Sequence, residues 1–370
     1  MIRNTNSIQI TWLQYVFLIH GTQVGVGFLT LPRELSQATG TYGWISIIFG
    51  WALSVVASLF IIQALKVHPG ATLFDLFKLY LGKWFGKAAS ILLIIYFIGS
   101  SITILISIVS ILKIWLLPNT PNLMLMLLLS IPTYMIVRHG LTMIGRYAEI
   151  IFYFSLWIIV LLVFPVNHSH WLYLLPIIKE GWLPILSATK LTLLSFLGFE
   201  ISFVLYPFLM KKQNAASAVI VANTLTMCFY GLTTVVCLAY FSSLEILQYT
   251  WPTLSLLKVI RVQFLDRWDI IFLAMYMIVI SVTWIVYMSI AVYGVKRLMP
   301  SSNPSLVTGL ILILPIALSM MLALSQSQVT QIMKTLSIVG SIIAYVFPVC
   351  LWIYAKIYAG FHQSQGGDSA

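Results

Sequence analysis

The sequence carries very little charge for its length. Only 8% of its 370 residues are Asp, Glu, Lys or Arg, whereas 61% are apolar, and the mean hydropathy is +1.01. A soluble domain has roughly a quarter charged residues, because its surface must be wetted by water. This chain cannot cover a water-facing surface of its size. The composition excludes a soluble protein and predicts an integral membrane protein whose solvent is the lipid bilayer.

Acidic residues and cysteines are scarce as well. Nine Asp and Glu stand against twenty Lys and Arg, which gives a formal net charge of +11. The basic residues are spread between apolar runs and do not form a patch with exposed aromatic residues, so no nucleic-acid partner is predicted. The three cysteines, Cys228, Cys237 and Cys350, lie in apolar runs. We interpret them as small buried residues rather than as a disulfide or metal site.

Groups that perform chemistry are missing at membrane depth. The apolar runs contain neither a nucleophile–base pair nor a cluster of metal ligands. His168 and His170 stand together in one connection without an acidic partner nearby, and we interpret them as residues of the membrane interface. The sequence therefore predicts no catalytic residue, no metal and no cofactor.

Long apolar runs are what the sequence does contain. A helix needs about 20 apolar residues to cross the hydrocarbon of a bilayer, and such runs recur along the whole chain. They predict an all-α polytopic membrane protein with a single membrane domain over residues 1–370 and ten transmembrane helices. The ten predicted spans are Trp12–Leu31, Trp44–Ala64, Ala88–Leu112, Leu123–Val137, Tyr147–Val166, Ser187–Leu209, Ala215–Phe241, Ile270–Val295, Leu306–Leu324 and Thr335–Tyr358.

The basic residues also predict an orientation. More of them fall on the side of the amino terminus, which the positive-inside rule places in the cytoplasm together with the carboxyl terminus. On the outer side, the connection Phe241–Asp269 is apolar enough to predict one or two short helices lying on the membrane surface. Residues 359–370 are predicted to be a short polar cytoplasmic tail.

Ten spans divide into two units of five, about 8–166 and 187–358. Because five is odd, the second unit enters the membrane upside down, as in transporter folds with inverted repeats whose first helix is broken near mid-membrane. Span one has Gly25 and Gly27 in its middle, and span six has Gly198, with Pro32 and Pro207 closing the two runs. Glycines also allow close helix packing, but their occurrence in the first helix of both halves favours breaks in spans one and six.

A broken helix frees backbone groups for a ligand. The N–H groups at the start of the second half-helix, here Val26, Gly27 and Phe28, can hold a carboxylate. The carbonyl groups at the end of the first half-helix can accept from an ammonium group; these belong to Gln23, Val24, Phe196 and Leu197. Such a site fits a free amino acid.

Several side chains at membrane depth are further candidates. Glu200 is the only acid deep in a span, and it is interpreted either as a gating or proton-coupling group or as a hydrogen-bonded structural acid. Glu149 either gates the cytoplasmic mouth of span five or forms an ion pair with Arg146 one turn earlier. The hydroxyl residues either line a site or bond to their own helix; these are Ser100, Ser101, Thr103, Thr283 and Tyr287.

The run from Gly25 to Arg33, Gly-Val-Gly-Phe-Leu-Thr-Leu-Pro-Arg, resembles the endospore germination permeases. These are the B subunits of nutrient germinant receptors (GerAB/GerKB type), within the amino acid–polyamine–organocation superfamily. The run from Ser195 to Glu200 is similar to the sixth-helix motif of that superfamily. The resemblance covers nearly the whole chain. It implies a LeuT-like 5+5 fold, with a ligand site between spans one, three, six and eight. It also implies an A subunit and a lipoprotein C subunit as partners, in the inner spore membrane or cell membrane of a spore-forming bacterium.

Residue chemistry and resemblance together give one predicted site. The predicted ligand-binding residues are Gln23, Val24, Gly25, Val26, Gly27, Phe28, Ser100, Ser101, Phe196, Leu197, Gly198, Phe199, Thr283 and Tyr287. A nutrient sensor that signals to partner subunits and a proton- or sodium-coupled amino-acid transporter would share this pocket. The resemblance favours the sensor, and a membrane enzyme has the least support.

Overall fold

The structure is a computed structural model that describes residues 9–175, 181–258, 268–321 and 326–366. Within these ranges the chain is almost entirely helical, and one isolated bridge pairs Ile10 with Leu209. The helices, in chain order, are α1 (Trp12–Gln23), α2 (Gly27–Thr39), α3 (Trp44–Lys66), α4 (Leu73–Trp115), α5 (Asn122–Val137), α6 (Leu141–Val166), α7 (Trp182–Ser195), α8 (Ser202–Leu205), α9 (Ala215–Tyr240), α10 (Pro252–Leu257), α11 (Trp268–Leu298), α12 (Pro304–Met321), α13 (Gln326–Ser341) and α14 (Phe347–Gly366).

The membrane-spanning character of the chain follows from six continuous helical stretches among the described residues. They are long and apolar enough to cross a bilayer, and two bent helix pairs raise the number to eight. The bent pairs are α1 with α2, and α7 with the segment Phe199–Phe208. The predicted count of ten also requires two shorter apolar helices, α5 and the stretch Pro304–Ala317 of α12, which match predicted spans four and nine. The polytopic all-α fold is confirmed.

The third predicted span is much longer than expected. Helix α4 has 43 residues and is interrupted by the non-helical backbone of Gly82, whose φ is +76°. The lysines before and after Gly82 lower the local hydropathy, so the apolar pattern alone does not show that the helix begins earlier. The first turn of α4 is fixed by Asp75. Its carboxylate accepts a hydrogen bond from the amide of Thr72, the residue before the helix, and forms a 2.8 Å ion pair with Arg297 at the end of α11. Helix α11 packs along α4 and lies at the centre of the bundle.

The connection after α9 forms short helices as predicted, and the second of them, α10, packs against the helical bundle. Helix α10 is buried against α2, α9 and α11, with Leu254 and Leu257 fully enclosed. The hydroxyl of Thr253 donates to the carbonyl of Phe28 at 3.0 Å. That carbonyl lacks a helical partner because Pro32 has no N–H. The proline in span one thus leaves free the carbonyl to which α10 donates its hydrogen bond. Residues 259–267 of this connection lie outside the described residues.

Candidate functional site

The first and sixth spans are both broken, as the glycine pattern predicts. The axis bends by 54° between α1 and α2, and by 49° after α7. At the first break, the carbonyl of Gly25 accepts a hydrogen bond from the Tyr276 hydroxyl at 2.7 Å. At the second break, Gly198 has a φ of +135°, a conformation that favours glycine. A Cβ on Gly198 would also lie 2.8 Å from the backbone nitrogen of Gln23, so the two breaks meet there.

The amide groups of the first break are only partly used by the protein. Phe28 N–H donates to the carbonyl of Gly25 at 3.2 Å, so this predicted donor is engaged. In the described part of the chain, the amides of Val26 and Gly27 make no hydrogen bond to the backbone. Both residues line the cavity described below. Two of the three predicted donors are therefore available to a ligand.

The carbonyl groups predicted to accept from an ammonium group are more occupied. The carbonyl of Gln23 accepts from the Tyr230 hydroxyl at 2.7 Å, and that of Phe196 accepts from the side-chain amide of Gln23 at 2.8 Å. The Thr283 hydroxyl lies 3.5 Å from the carbonyl of Val24 and 3.1 Å from that of Gly21. Three of the four predicted carbonyl groups are thus engaged by donors of the protein, whereas the described residues show no hydrogen bond from a loop or side chain to the fourth, that of Leu197.

The Gln23 side chain connects the breaks to α9. Its Nε2 donates to Phe196 and to the Asn223 side chain at 2.9 Å, and its Oε1 accepts from Thr226 at 2.7 Å. Both N–H groups and one acceptor position of the amide are then used. Asn223 in turn donates to Ser58 of α3 at 3.1 Å. The side chain of Gln23 positions the breaks.

Glu200 is fully buried beside the second break and is surrounded by donors. Its Oε1 accepts from the Tyr96 hydroxyl at 3.0 Å and from the Tyr287 hydroxyl at 2.7 Å. Its Oε2 accepts from the amide of Gly198 at 2.6 Å. Tyr96 was not among the residues predicted for the site, although it lies four residues before Ser100 and so on the same face of α4.

A cavity of about 560 Å³ lies at the first break, between α2, α4, α7, α11 and α13. Eight predicted residues line it: Gln23, Gly25, Val26, Gly27, Ser100, Leu197, Thr283 and Tyr287. Six others are near the breaks but are not among the lining residues: Val24, Phe28, Ser101, Phe196, Gly198 and Phe199. Glu200 stands behind Tyr96 and Tyr287, which do line the cavity.

The cavity has a mixed lining. Helices α4, α7 and α13 contribute aliphatic side chains, namely Ile104, Leu191, Leu194, Leu336 and Ile338, and hydroxyl residues such as Thr103, Ser107 and Ser337. Charged and aromatic residues line it as well, namely Arg33, Glu34, Trp251 and Lys334. The Arg33 side chain is held there by a 3.2 Å hydrogen bond to the carbonyl of Leu247.

Glu149 lies outside this cavity. Its carboxylate accepts a 3.0 Å hydrogen bond from the side chain of Gln14, so the contact that the structure shows there comes from α1 and not from Arg146. Ser101 likewise points away from the ligand space, since its hydroxyl donates to the carbonyl of Trp284 at 2.8 Å.

Comparison with known proteins decides the family. The sequence model of a family described as "Spore germination protein" matches residues 9–329. The chain belongs to this family. It is 28% identical to spore germination protein YndE of Bacillus subtilis (strain 168), over 94% of this chain and 96% of YndE. It is 28% identical to spore germination protein B2 of the same organism, over 71% and 72% of the two chains.

A third relative is spore germination protein GerQB of Bacillus cereus, which is 26% identical over 78% of this chain and 79% of GerQB. Among solved structures, that of MhsT in complex with L-phenylalanine superimposes with a TM-score of 0.65 at 13% identity. The match covers 93% of this chain and 88% of MhsT. The chain is a multi-pass membrane protein of the spore germination permease family with a LeuT-like fold. This is a permease-type family and not a family of enzymes.

Proposed function

We propose that this protein is the ligand-binding subunit of a spore germination receptor, and that it binds a free amino acid in the cavity at the first break. The observation that carries the proposal is that Val26 and Gly27 line the cavity and that, among the described residues, their amides make no backbone hydrogen bond. They sit at the start of α2, where the helix dipole favours an anion. A carboxylate is the ligand group that matches them.

The rest of the cavity supports an amino acid with an apolar side chain. Aliphatic residues from α4, α7 and α13 form part of its lining, and they can contact an apolar side chain. A volume of about 560 Å³ lies in the usual range for small-molecule sites. MhsT, whose fold this chain shares, was crystallised with an amino acid, L-phenylalanine.

Signalling is the second part of the proposal. Occupancy of the first break would reach the rest of the bundle through Gln23, which ties that break to Phe196 and to α9. Partner A and C subunits would then respond to the rearranged helices. Both termini lie in the cytoplasm, or the spore core, and the membrane is the inner spore membrane or cell membrane of a spore-forming bacterium.

A proton- or sodium-coupled amino-acid transporter is the second candidate function. The observation that favours it is Glu200, an acid fully buried at the second break within reach of two cavity-lining tyrosines. Such intramembrane acids mark ion and proton pathways in transporters. Uptake of radiolabelled amino acids into proteoliposomes containing this chain alone separates the two. Accumulation driven by a proton or sodium gradient favours the transporter, and binding without accumulation favours the sensor.

The germination response of spores tests the site. A Cβ on Gly27 would lie 3.3 Å from the Ser195 hydroxyl and 3.5 Å from that of Tyr230, so Gly27→Val adds bulk against two residues that line the cavity beside the proposed carboxylate site. Losing a charge-assisted hydrogen bond costs about 1.5–3 kcal/mol. The nutrient concentration for half-maximal germination should therefore rise roughly ten- to a hundred-fold. Gly25→Ala should act more mildly, because its methyl group meets Thr283 at an ordinary 3.7 Å.

The matched control is Gly231→Val in α9, where an added Cβ has no neighbour within 4 Å. Its dose–response curve should coincide with that of the wild type. Immunoblots establish that all variants reach the same level in spores. If abundant Gly27→Val protein gives a wild-type dose–response curve, the ligand does not bind at the first break.

A further inference from the structure

Two tyrosines that line the cavity beside the first break donate their hydroxyl protons to a group of the protein itself. A phenolic hydroxyl has a single proton, and Tyr96 and Tyr287 both direct theirs to Oε1 of Glu200, at 3.0 and 2.7 Å. Glu200 itself does not line the cavity, whereas both tyrosines do. A ligand that reaches these two hydroxyl groups therefore meets oxygen atoms that act as acceptors, with the carboxyl group of Glu200 directly behind them.

This acceptor wall lies close to the free amides of the first break. Thr283 is 3.7 Å from the position of a Cβ on Gly25, and Tyr287 is one helical turn further along α11. Side chains one turn apart have Cβ atoms about 5–6 Å from each other. The tyrosine hydroxyls also bond the same carboxyl group as the amide of Gly198, which lies against the backbone of Gln23. The amides of Val26 and Gly27 and the tyrosine pair therefore belong to the same region of the cavity, where the two breaks meet.

The backbone carbonyls of the breaks are less suited to this task. Those of Gln23, Gly25 and Phe196 already accept hydrogen bonds from Tyr230, Tyr276 and the Gln23 side chain, respectively. None of the three has a negative charge behind it. A cationic group bound at the tyrosine pair would have the carboxyl group of Glu200 one hydrogen bond away, and the attraction between opposite charges favours it there.

We propose that Tyr96 and Tyr287 bind the cationic amine of the ligand through their hydroxyl oxygens, and that Glu200 is the positioning residue that turns both hydroxyl protons away from the cavity. This inference rests on the proposed function and fixes the orientation of the amino acid, with its carboxylate at Val26 and Gly27. It predicts that the protein prefers an amino acid over the carboxylic acid that lacks the amine.

Paired ligands that differ only in the amine test the inference. The pairs are L-alanine and propanoate, L-valine and 3-methylbutanoate, L-leucine and 4-methylpentanoate, and L-phenylalanine and 3-phenylpropanoate. Purified full-length protein in detergent is melted at increasing ligand concentration, and the shift in melting temperature gives the Kd of each ligand. The wild type should prefer the amino acid of a pair. In Tyr96→Phe and in Tyr287→Phe this preference should fall about ten- to a hundred-fold, with the Kd of the deaminated acid little changed.

Two further variants separate positioning from general damage. In Glu200→Gln the new NH2 group cannot accept: it faces either the amide of Gly198, which then loses its acceptor, or the two tyrosines, whose protons then turn away from residue 200. In both cases the negative charge behind the tyrosine pair is lost, so the amine preference should fall while the protein stays folded. Tyr345→Phe is the control. Its hydroxyl donates to the carbonyl of Leu193 at 2.9 Å and does not line the cavity, so the preference should be that of the wild type.

Each alternative outcome has a definite meaning. If both phenylalanine variants keep the full preference for the amine, the tyrosine pair does not bind it and the inference is wrong. If the wild type binds amino acid and deaminated acid equally, the inference is also wrong, although the proposed function survives. If folded wild-type protein binds no member of any pair, the proposed function fails and the inference fails with it.

Discussion

The first break leaves two amides free at the cavity, whereas the second break holds a carboxylate of its own chain. At the first, Val26 and Gly27 N–H make no backbone hydrogen bond among the described residues. At the second, the amide of Gly198 donates to Glu200 at 2.6 Å. Both breaks thus expose the same kind of anion site that helix N-termini form. One is satisfied internally and the other is open to a ligand.

The glycines of the two breaks serve different physical needs. Gly198 has a φ of +135°, and its Cβ position collides with the backbone of Thr22 and Gln23. Gly25 and Gly27 are not among the glycines with positive φ, and a methyl group on either would meet only side chains and one carbonyl at 3.3 Å or more. Glycine is required at the second break by conformation and contact, and at the first by the space a ligand needs.

The largest effect expected from this difference is on folding. Gly198→Ala adds a strained backbone conformation, about 1–3 kcal/mol, to a close approach between two backbones that overpacking makes unfavourable by about 1–3 kcal/mol. We expect a loss of several kcal/mol in stability, seen as a lower melting temperature or as loss of folded protein. Gly140→Ala is the control, because its φ is +84° but nothing lies within 4 Å of the added methyl. Equal losses in the two variants would mean that the breaks do not press on each other.

A smaller effect should follow when the link between the breaks is cut. Gln23→Leu removes the donor to the carbonyl of Phe196 and to Oδ1 of Asn223, and so leaves two buried acceptors without this partner. The stability should fall by about 1–3 kcal/mol, and ligand affinity should fall with it because the two breaks are no longer held in register. Melting curves with and without amino acid measure both. Gln63→Leu on the exposed face of α3 should change neither, and an unchanged affinity in Gln23→Leu would show that the breaks act separately.

The smallest expected change is in pH dependence. Glu200→Gln replaces the resident carboxylate of the second break by an amide that does not titrate, while nearly the same volume is kept. The protein should remain folded, and the pH profile of the nutrient response or of binding should become flatter. Glu245→Gln, an exposed acid in the connection after α9, is the matched control. A wild-type pH profile in Glu200→Gln would reduce Glu200 to a structural role.

Local patterns in the sequence were enough to predict the breaks and to single out Glu200 as a candidate. The pattern of a mid-span glycine followed by a proline can be recognised from spacing alone. An acid in an apolar run is conspicuous because placing a charge inside the membrane is energetically unfavourable. The partners of these residues were not readable. Tyr96 meets Glu200 across 104 positions of the chain, and Gln23 meets Asn223 across 200. No periodicity within one helix encodes such pairs.

Two errors of the sequence reading have simple causes. The lysines near Gly82 led to a predicted third span that begins only at Ala88, although the helix extends from Leu73 to Trp115. Helix α10 was expected on the membrane surface because its residues are apolar between charged neighbours. The structure buries it, and its Thr253 supplies the donor that Pro32 denies to Phe28. That requirement arises in another helix and is invisible in the local composition.

The most direct test of the central claim is an experimental structure of the protein with a bound amino acid from the series L-alanine, L-valine, L-leucine and L-phenylalanine. The account predicts that the ligand carboxylate lies within about 3.2 Å of the amide nitrogens of Val26 and Gly27, the usual limit for an N–H···O hydrogen bond. The amine should face the hydroxyl oxygens of Tyr96 and Tyr287. A ligand bound outside the first break, or with its carboxylate toward the tyrosine pair, would contradict the account.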